Sequence, residues 1–363
     1  MSDIRITIET IDSIHAHPNA DRLEIAHILG TQTIVPKDEF QPGQKVVFFP
    51  PDILLPPEVS QELGVQKYLK HALWEDTEGS NKIQCRVAAC RLRGVPSYGF
   101  AIKVPELSPL PHFETDLTDY YQARKYEPPV KLSMMGDAVA EPVNFPRYTE
   151  IQHYYRYADI ITPGTPVRVT EKTHGTNCRL GSINIDGLMV FVCGSHRTAK
   201  RDYDASGKRS LYWEPLLSDP KIQTALQTLG AMGDTIIYCE IFGPGIQDMD
   251  YGVKQGKIGF RVFDISINGR YLDWHHLHTY CIGFGLQLVP IIDIGPFDPE
   301  KVQEWTNGPT LVTEADQIKA KFKGREGCVI TPLTETYHPD LGRVILKSVS
   351  ADYLDRKGAK DNG

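Results

Sequence analysis

The chain contains no run of about 18 apolar residues, and no apolar segment follows Met1, Ser2, Asp3, Ile4 and Arg5. Neither a spanning helix nor a secretory signal is therefore expected. Its cysteines number seven and none stands in a Cys-x-x-Cys pair, which argues against a disulfide scaffold or a zinc ribbon and points to a reducing compartment. A cytoplasmic protein with no membrane association follows. Positive charge is also short: 39 Lys and Arg stand against 46 Asp and Glu, a formal net charge of −7. Such a chain does not coat polyanions indiscriminately, so any phosphate contact must come from a local patch. The densest candidate is His196, Arg197, Lys200, Arg201, Lys208 and Arg209. There is no internal repeat and no low-complexity tract, and the polar tail 356–363 is expected to be loose. His275, His276 and His278 have no cysteine or further histidine at ligand spacing, so a packing or surface role is expected for them rather than metal binding.

At 363 residues the chain suits two domains. Residues 1–104 read as short strands broken by turns, at 4–8, 23–28, 33–35, 45–49, 83–89 and 99–104, which predicts a small β-barrel. Between Pro105 and Phe145 the prolines at 105, 109, 111, 128, 129 and 142 interrupt regular structure. Tyr120, Tyr121 and Tyr126 in that stretch predict that it packs on something. The division expected is a barrel over 1–104, a proline-rich connector over 105–144 and a second domain over 145–363.

The second domain carries the chemistry. Val167, Val169 and Thr170 read as a strand, and it delivers Lys172 into a turn made possible by Gly175. A lysine attacks an activated phosphorus only when deprotonated, so it needs nearby cations or a dry pocket. Downstream, 236–242 is a strand bearing Glu240 into a Gly243-Pro244-Gly245 turn. The strand 258–265 carries Phe263 and Asp264, Glu326 opens a third at 327–330, and Lys347 lies on a fourth. Glu240 and Glu326 stand within apolar runs, where an unpaired charge is costly.

In this order, Glu171-Lys172-Thr173-His174-Gly175-Thr176-Asn177, Glu240 with its Gly-Pro-Gly-Ile-Gln sequel, Phe263, Glu326 and Lys347 resemble the nucleotidyltransferase domain of ATP-dependent RNA ligases over residues 145–354. The resemblance implies an α+β fold, with an adenylyltransferase domain of the DNA and RNA ligase type built on antiparallel sheets. It implies ATP and Mg²⁺ or Mn²⁺ as cofactors, and an RNA or RNA-containing nicked duplex as partner, with no obligate protein partner. Carried over by residue, Lys172 becomes adenylylated, Glu171 helps recognise the adenine edge, and His174 and Asn177 line the path of the phosphate and the RNA 3′ end. Arg197 braces the ribose and pocket wall, Glu240 accepts a ribose hydroxyl, Phe263 stacks on adenine, Glu326 helps hold the catalytic metal and Lys347 contacts the α-phosphate.

Two positions depart from the pattern. Val349 replaces the second lysine of the last motif, and Thr331 stands where a lysine often follows Glu326, so either Lys200 or Arg201 supplies the missing charge or the phosphate chemistry is slower. At the N-terminus, His17-Pro18-Asn19-Ala20-Asp21, the stretch 35–47 and Arg91 to Gly99 resemble the tRNA-binding OB modules of synthetase-associated proteins, implying a nucleic-acid face. An OB barrel before the core, with only 351–363 after the last motif, predicts a subgroup with no C-terminal accessory domain. The alternatives are an RNA-binding module with a nucleotide-binding but inactive core, and a capping-type guanylyltransferase.

Overall fold

The structure, a computed structural model, describes residues 4–75, 81–105, 116–126, 137–204, 206–312 and 323–355. Pro109, Pro111, Pro128 and Pro129 and the tail 356–363 lie outside them. The chain divides into two compact units, Ser2–Pro129 and Val130–Gly363. No helix among the described residues is long and apolar enough to cross a membrane.

The first unit is an assembly of short antiparallel strands: β1 (Thr7–Thr10), β2 (Ser13–Ala16), β3 (Leu23–Ile28), β4 (Thr31–Pro36), β5 (Lys45–Phe49), β6 (Ile53–Leu55), β7 (Lys70–Glu75), β8 (Asn81–Arg86), β9 (Cys90–Leu92), β10 (Val95–Ser97), β11 (Phe100–Lys103) and β12 (Arg124–Lys125). β5 lies centrally, between β1 and β11. Its sequence lacks polar alternation because both of its faces are covered. Val46 and Phe48 join Ile11, Ala26, Ile28 and Val35 in one cluster. Val47 and Phe49 join Ile6, Ile53 and Leu55 in another. Gly99 holds φ +84°, and a Cβ there would meet the Phe49 carbonyl oxygen at 2.2 Å, so the strand expected from 99 begins at Phe100. The turn at His17 locks onto the β9–β10 hairpin: its Nε2 bonds the Leu92 carbonyl at 3.1 Å, and Asn19 Nδ2 donates to Arg93 O at 3.0 Å. Two segments that resemble one OB module in sequence are thus tied together in space. Leu117, Tyr121 and Ala123 are buried in the β5 cluster, and β12 pairs with β6, so residues 116–126 pack with the first unit.

The second unit contains β13 (Ala138–Val139), β14 (Gln152–His153), β15 (Pro166–Glu171), β16 (Thr176–Ile185), β17 (Leu188–Ser195), β18 (Ala199–Lys200), β19 (Thr235–Phe242), β20 (Gly259–Ile267), β21 (Arg270–Tyr271), β22 (Ile291–Pro296), β23 (Gly327–Pro332), β24 (Tyr337–His338), β25 (Gly342–Arg343) and β26 (Leu346–Val349). They form a seven-stranded sheet, β13-β18-β17-β16-β19-β20-β21, a five-stranded sheet, β14-β26-β23-β15-β22, and a separate β24-β25 hairpin. Helices α1 (Pro220–Gly230) and α2 (Trp274–Phe284) cover one face of the larger sheet. α1 starts where Asp219 accepts the Lys221 N–H, with Pro220 at its first position. It buries Ile222, Ala225, Leu226 and Leu229, one stripe at helical spacing, and each large side chain so buried stabilises by about 1.5–3 kcal/mol.

The two sheets face each other across a cluster of Phe145, Tyr148, Tyr238 and Ile345 with Phe263 and Val329 at its edge. A buried ionic network reinforces it. Arg343 donates to Asp264 at 2.7 Å and to the Tyr148 hydroxyl at 3.0 Å, and it also pairs with Glu335. Burial disfavours the Arg343 charge, but Asp264, Tyr148 and Glu335 outweigh it and hold the guanidinium protonated. Removing one member would strand the others, the costly way to break such a network.

Candidate active site

The chain enters the site along β15. Glu171 and Lys172 are fixed through the backbone, Glu171 N–H donating to Pro290 O at 2.8 Å and Lys172 N–H to Gly327 O at 3.0 Å. The turn after them has to be tight. A Cβ on Gly175 would lie 2.3 Å from the Ile241 carbonyl oxygen, so only glycine lets the chain pass this close to β19.

Lys172 Nζ forms an ion pair with Glu326 Oε1, the two side chains being 16% and 2% exposed. Burial alone would raise the Glu326 carboxyl; the Lys172 charge overturns that and holds it below the ordinary carboxylate range. Its other oxygen, Oε2, is buried with no hydrogen bond among the described residues. His174 Nδ1 stands 3.3 Å from it but is engaged by the Tyr353 hydroxyl at 2.8 Å.

Glu240, opposite Asn177 in the β16–β19 register, faces the same point from the larger sheet. Burial pushes its carboxyl up to about 8 and Glu326 adds to the rise, against Lys172 and the Gly175 N–H. The folded protein thus holds a proton that an unfolded chain releases near 4.5. This contribution to stability is complete below that value and is lost as pH rises towards about 8. Melting temperatures measured across that range should show Glu240→Gln gaining on the parent as pH rises. Parallel curves for the two proteins would remove the proton from Glu240.

Several further groups converge. His174 is 5% exposed; its N–H donates to the Tyr251 hydroxyl at 2.7 Å and its Nε2 meets Asp248 Oδ1 at 2.7 Å. Tyr251 adopts φ +52°, a left-handed conformation that is costly for a bulky residue and aims its hydroxyl at this N–H. Asn177 Oδ1 is buried without a hydrogen bond among the described residues. Lys347 is fully buried on β26 opposite Val329.

Other expected site residues sit differently. The Glu171 carboxylate is already bonded, by the Thr310 hydroxyl and by the Leu311 N–H at 2.6 Å, and burial raises its carboxyl against those donors. Phe263 is the extra residue where the β19–β20 register shifts, Tyr238 pairing with Asp264 and Cys239 with Val262. The bulge turns Phe263 to the inter-sheet face, where its ring meets Tyr148 at 4.9 Å between centroids. Arg197 lies on the β17–β18 turn, its N–H donating to Ser195 Oγ at 3.3 Å.

Lys200 does not replace the missing lysines. It is 6% exposed and donates to Asp137 at 2.8 Å, so its charge is matched locally. Arg209 likewise faces Glu214 at 3.8 Å, which thins the basic segment as a phosphate patch. Val349 packs beside Phe242, Tyr251 and Tyr353, an apolar setting that explains a valine there. His275, His276 and His278 are exposed on α2.

Sequence reasoning missed Asp248, Tyr251, Thr310 and Tyr353, and also Arg179, which is fully buried and bridges Glu141, Phe145 O and Ser195 O. The one available signal was Arg179 itself, a charge inside the alternating strand 176–185.

Comparison with protein families matches residues 165–349 to the RNA ligase model and residues 5–104 to an OB-fold domain. Comparison with curated proteins gives no match. Among solved structures, a mutant RNA ligase of Naegleria gruberi with AMP and Mn superposes with a TM-score of 0.74 at 21% identity, covering 99% of this chain and 100% of that one. A second mutant with ATP and Mn gives 0.71 at 22% identity, over 98% and 99%. The Naegleria gruberi ligase with PPi gives 0.70 at 22%, over 97% and 98%. At such identities the superpositions speak for the fold, an OB domain followed by a ligase domain. The family rests on the RNA ligase model, which matches just over half of the 363 residues and includes Lys172, Glu240, Glu326 and Lys347: the chain belongs to the RNA ligase family.

Proposed function

We propose that the protein is an ATP-dependent polynucleotide ligase that seals 3′-hydroxyl and 5′-phosphate ends at nicks containing RNA, through a lysyl-AMP formed on Lys172. The observation that carries this reading is the Lys172–Glu326 pair beside the paired strands β15 and β23, with Glu240 of the larger sheet facing it. The Naegleria gruberi ligase structures of the same fold hold AMP, ATP, PPi and Mn, the nucleotides and pyrophosphate this chemistry consumes and releases and a divalent ion of the kind it uses.

In the first step Lys172 Nζ bonds to the α-phosphorus of ATP as the bond to pyrophosphate breaks. Before attack the Lys172 ammonium, 16% exposed, releases one proton to solvent, and Glu326 Oε1 keeps a remaining N–H oriented so that the freed lone pair faces phosphorus. Next a 5′-phosphate oxygen displaces Lys172 and carries AMP away; finally the 3′-hydroxyl displaces AMP and the phosphodiester forms. All three are in-line displacements at phosphorus, where positioning and charge neutralisation are what a protein can supply. Lys347 serves the α-phosphate, Phe263 stacks on adenine, and Glu240 and Arg197 hold the ribose side. Glu171 forms the adenine end with Thr310, and His174 and Asn177 line the strand path.

A divalent ion fits this donor set. Among the described residues no three His, Cys, Asp or Glu side chains form a closed cage, yet Glu326 Oε2 and Asn177 Oδ1 are buried oxygens without hydrogen bonds there. Mg²⁺ is commonly held by one or two carboxylates, water and substrate phosphates. Such an ion supplies a Lewis acid for phosphate oxygens. Glu326→Ala should lower the rate of adenylylation by roughly 10²- to 10³-fold, with partial recovery at high Mn²⁺. Parental rates at every metal concentration would end the metal role of Glu326.

The seven cysteines are all free thiols, which supports a reducing compartment such as the cytoplasm. The function itself is tested by presenting nicked duplexes whose 3′-hydroxyl and 5′-phosphate strands are RNA or DNA in each combination. Sealing should depend on ATP and occur with RNA in the nick. Failure on every RNA-containing nick would refute the reading.

A further inference from the structure

We infer that Asp248 and Tyr353 are positioning residues for His174, together fixing its tautomer and ring plane against Glu326. The inference rests on the ligase reading above, because it gives these two residues a part in the chemistry at Lys172.

His174 is held at three points by two distant segments, the loop after β19 and the helix Ala351–Asp355. Tyr251 takes its backbone N–H, Asp248 meets Nε2 at 2.7 Å and Tyr353 meets Nδ1 at 2.8 Å. An ionised carboxylate only accepts, so Asp248 places the ring proton on Nε2. Nδ1 is then left with its lone pair and accepts the Tyr353 hydroxyl. The same Nδ1 edge stands 3.3 Å from Glu326 Oε2, and Glu326 is the partner of Lys172. Held in this tautomer the ring donates nothing to Oε2 and leaves that oxygen open among the described residues; a rotated ring would turn its N–H onto the carboxylate that partners Lys172.

The two holders differ in how they are built. Tyr353 lies on the helix Ala351–Asp355, is itself fully buried, and packs with Phe242, Met249 and Tyr251. Asp248 follows the Gly-Pro-Gly turn after β19, and its side chain is 50% exposed. A half-exposed carboxylate adds little to stability, so packing alone does not account for an acid placed on a buried histidine. Bonds that orient a functional histidine do account for it, and losing them commonly costs roughly 10- to 100-fold in activity.

The full chain with Asp248→Ala, Tyr353→Phe or Lys172→Ala decides the matter by single-turnover adenylylation with ATP, alongside melting temperature. Asp248→Ala should lose roughly 10- to 100-fold in rate, with KM for ATP and the melting temperature close to parental. Because Asp248 is open to solvent, added formate should restore part of the lost rate and leave the parent unchanged. Tyr353→Phe keeps the ring and should lose rate without unfolding. Parental kinetics for Asp248→Ala, or a loss that formate does not touch and that comes with a raised KM or a lower melting temperature, would overturn the inference. Lys172→Ala reports on the ligase reading separately: a nucleotide adduct surviving in that variant would sink the reading itself, whatever Asp248 does.

Discussion

Lys172→Ala should leave no covalent nucleotide on the protein, a loss of the whole signal rather than a slower rate. Glu240 and Glu326 face Lys172, but neither is an amine, and Lys347 is fully buried on a different strand. The substitution also removes the partner of a carboxylate that is 2% exposed. Glu326 then takes up a proton instead of remaining an unpaired buried charge, and the fold survives. Lys172→Arg separates the two roles. It keeps a cation beside Glu326 but cannot lose its proton, so it should stay stable and equally free of adduct. Intact-mass measurement after incubation with ATP and Mg²⁺ reads both variants, and an AMP-sized increment in either would move the nucleophile elsewhere.

Removal of the first unit should divide the reaction. The fragment Val130–Gly363 keeps both sheets and every expected nucleotide contact, so it should form the lysyl adduct at near-parental rate. Sealing should fall steeply, since one lost stacking contact of about 1–3 kcal/mol already corresponds to roughly 5- to 150-fold in binding. Sealing by the full chain should also weaken with added salt, because a protein with net charge −7 depends on local cations for phosphate contact. Starting the fragment at Phe145 instead would discard Asp137 and Glu141, which pair with Lys200 and Arg179. Sealing by Val130–Gly363 equal to that of the full chain would mean that the OB unit does not hold substrate.

Much of this architecture was legible in the sequence because strand periodicity and turn residues are local signals. The strands expected at 23–28 and 45–49 match β3 and β5, and the motif order brings Lys172, Glu240 and Glu326 to one point. What stayed hidden depends on contacts far apart in the chain. Tyr353 reaches His174 across 179 residues, and Thr310 reaches Glu171 across 139; no periodicity reports such pairings. The bulge that turns Phe263 inward is a register shift between two strands, and a single strand's sequence does not display it. Lys200 looked like a spare cation because its partner, Asp137, lies in the proline-rich stretch read as connector.

The central claim is that this site makes a lysyl-AMP. The full chain incubated with Mg²⁺ and either α-labelled ATP or α-labelled GTP, then resolved on a denaturing gel and mapped by peptide, tests it most directly. The account predicts label from ATP alone, retained through denaturation and located on the peptide containing Lys172. Label from GTP would instead place the protein with capping-type guanylyltransferases, and no label from either nucleotide would leave an RNA-binding module with an inactive core.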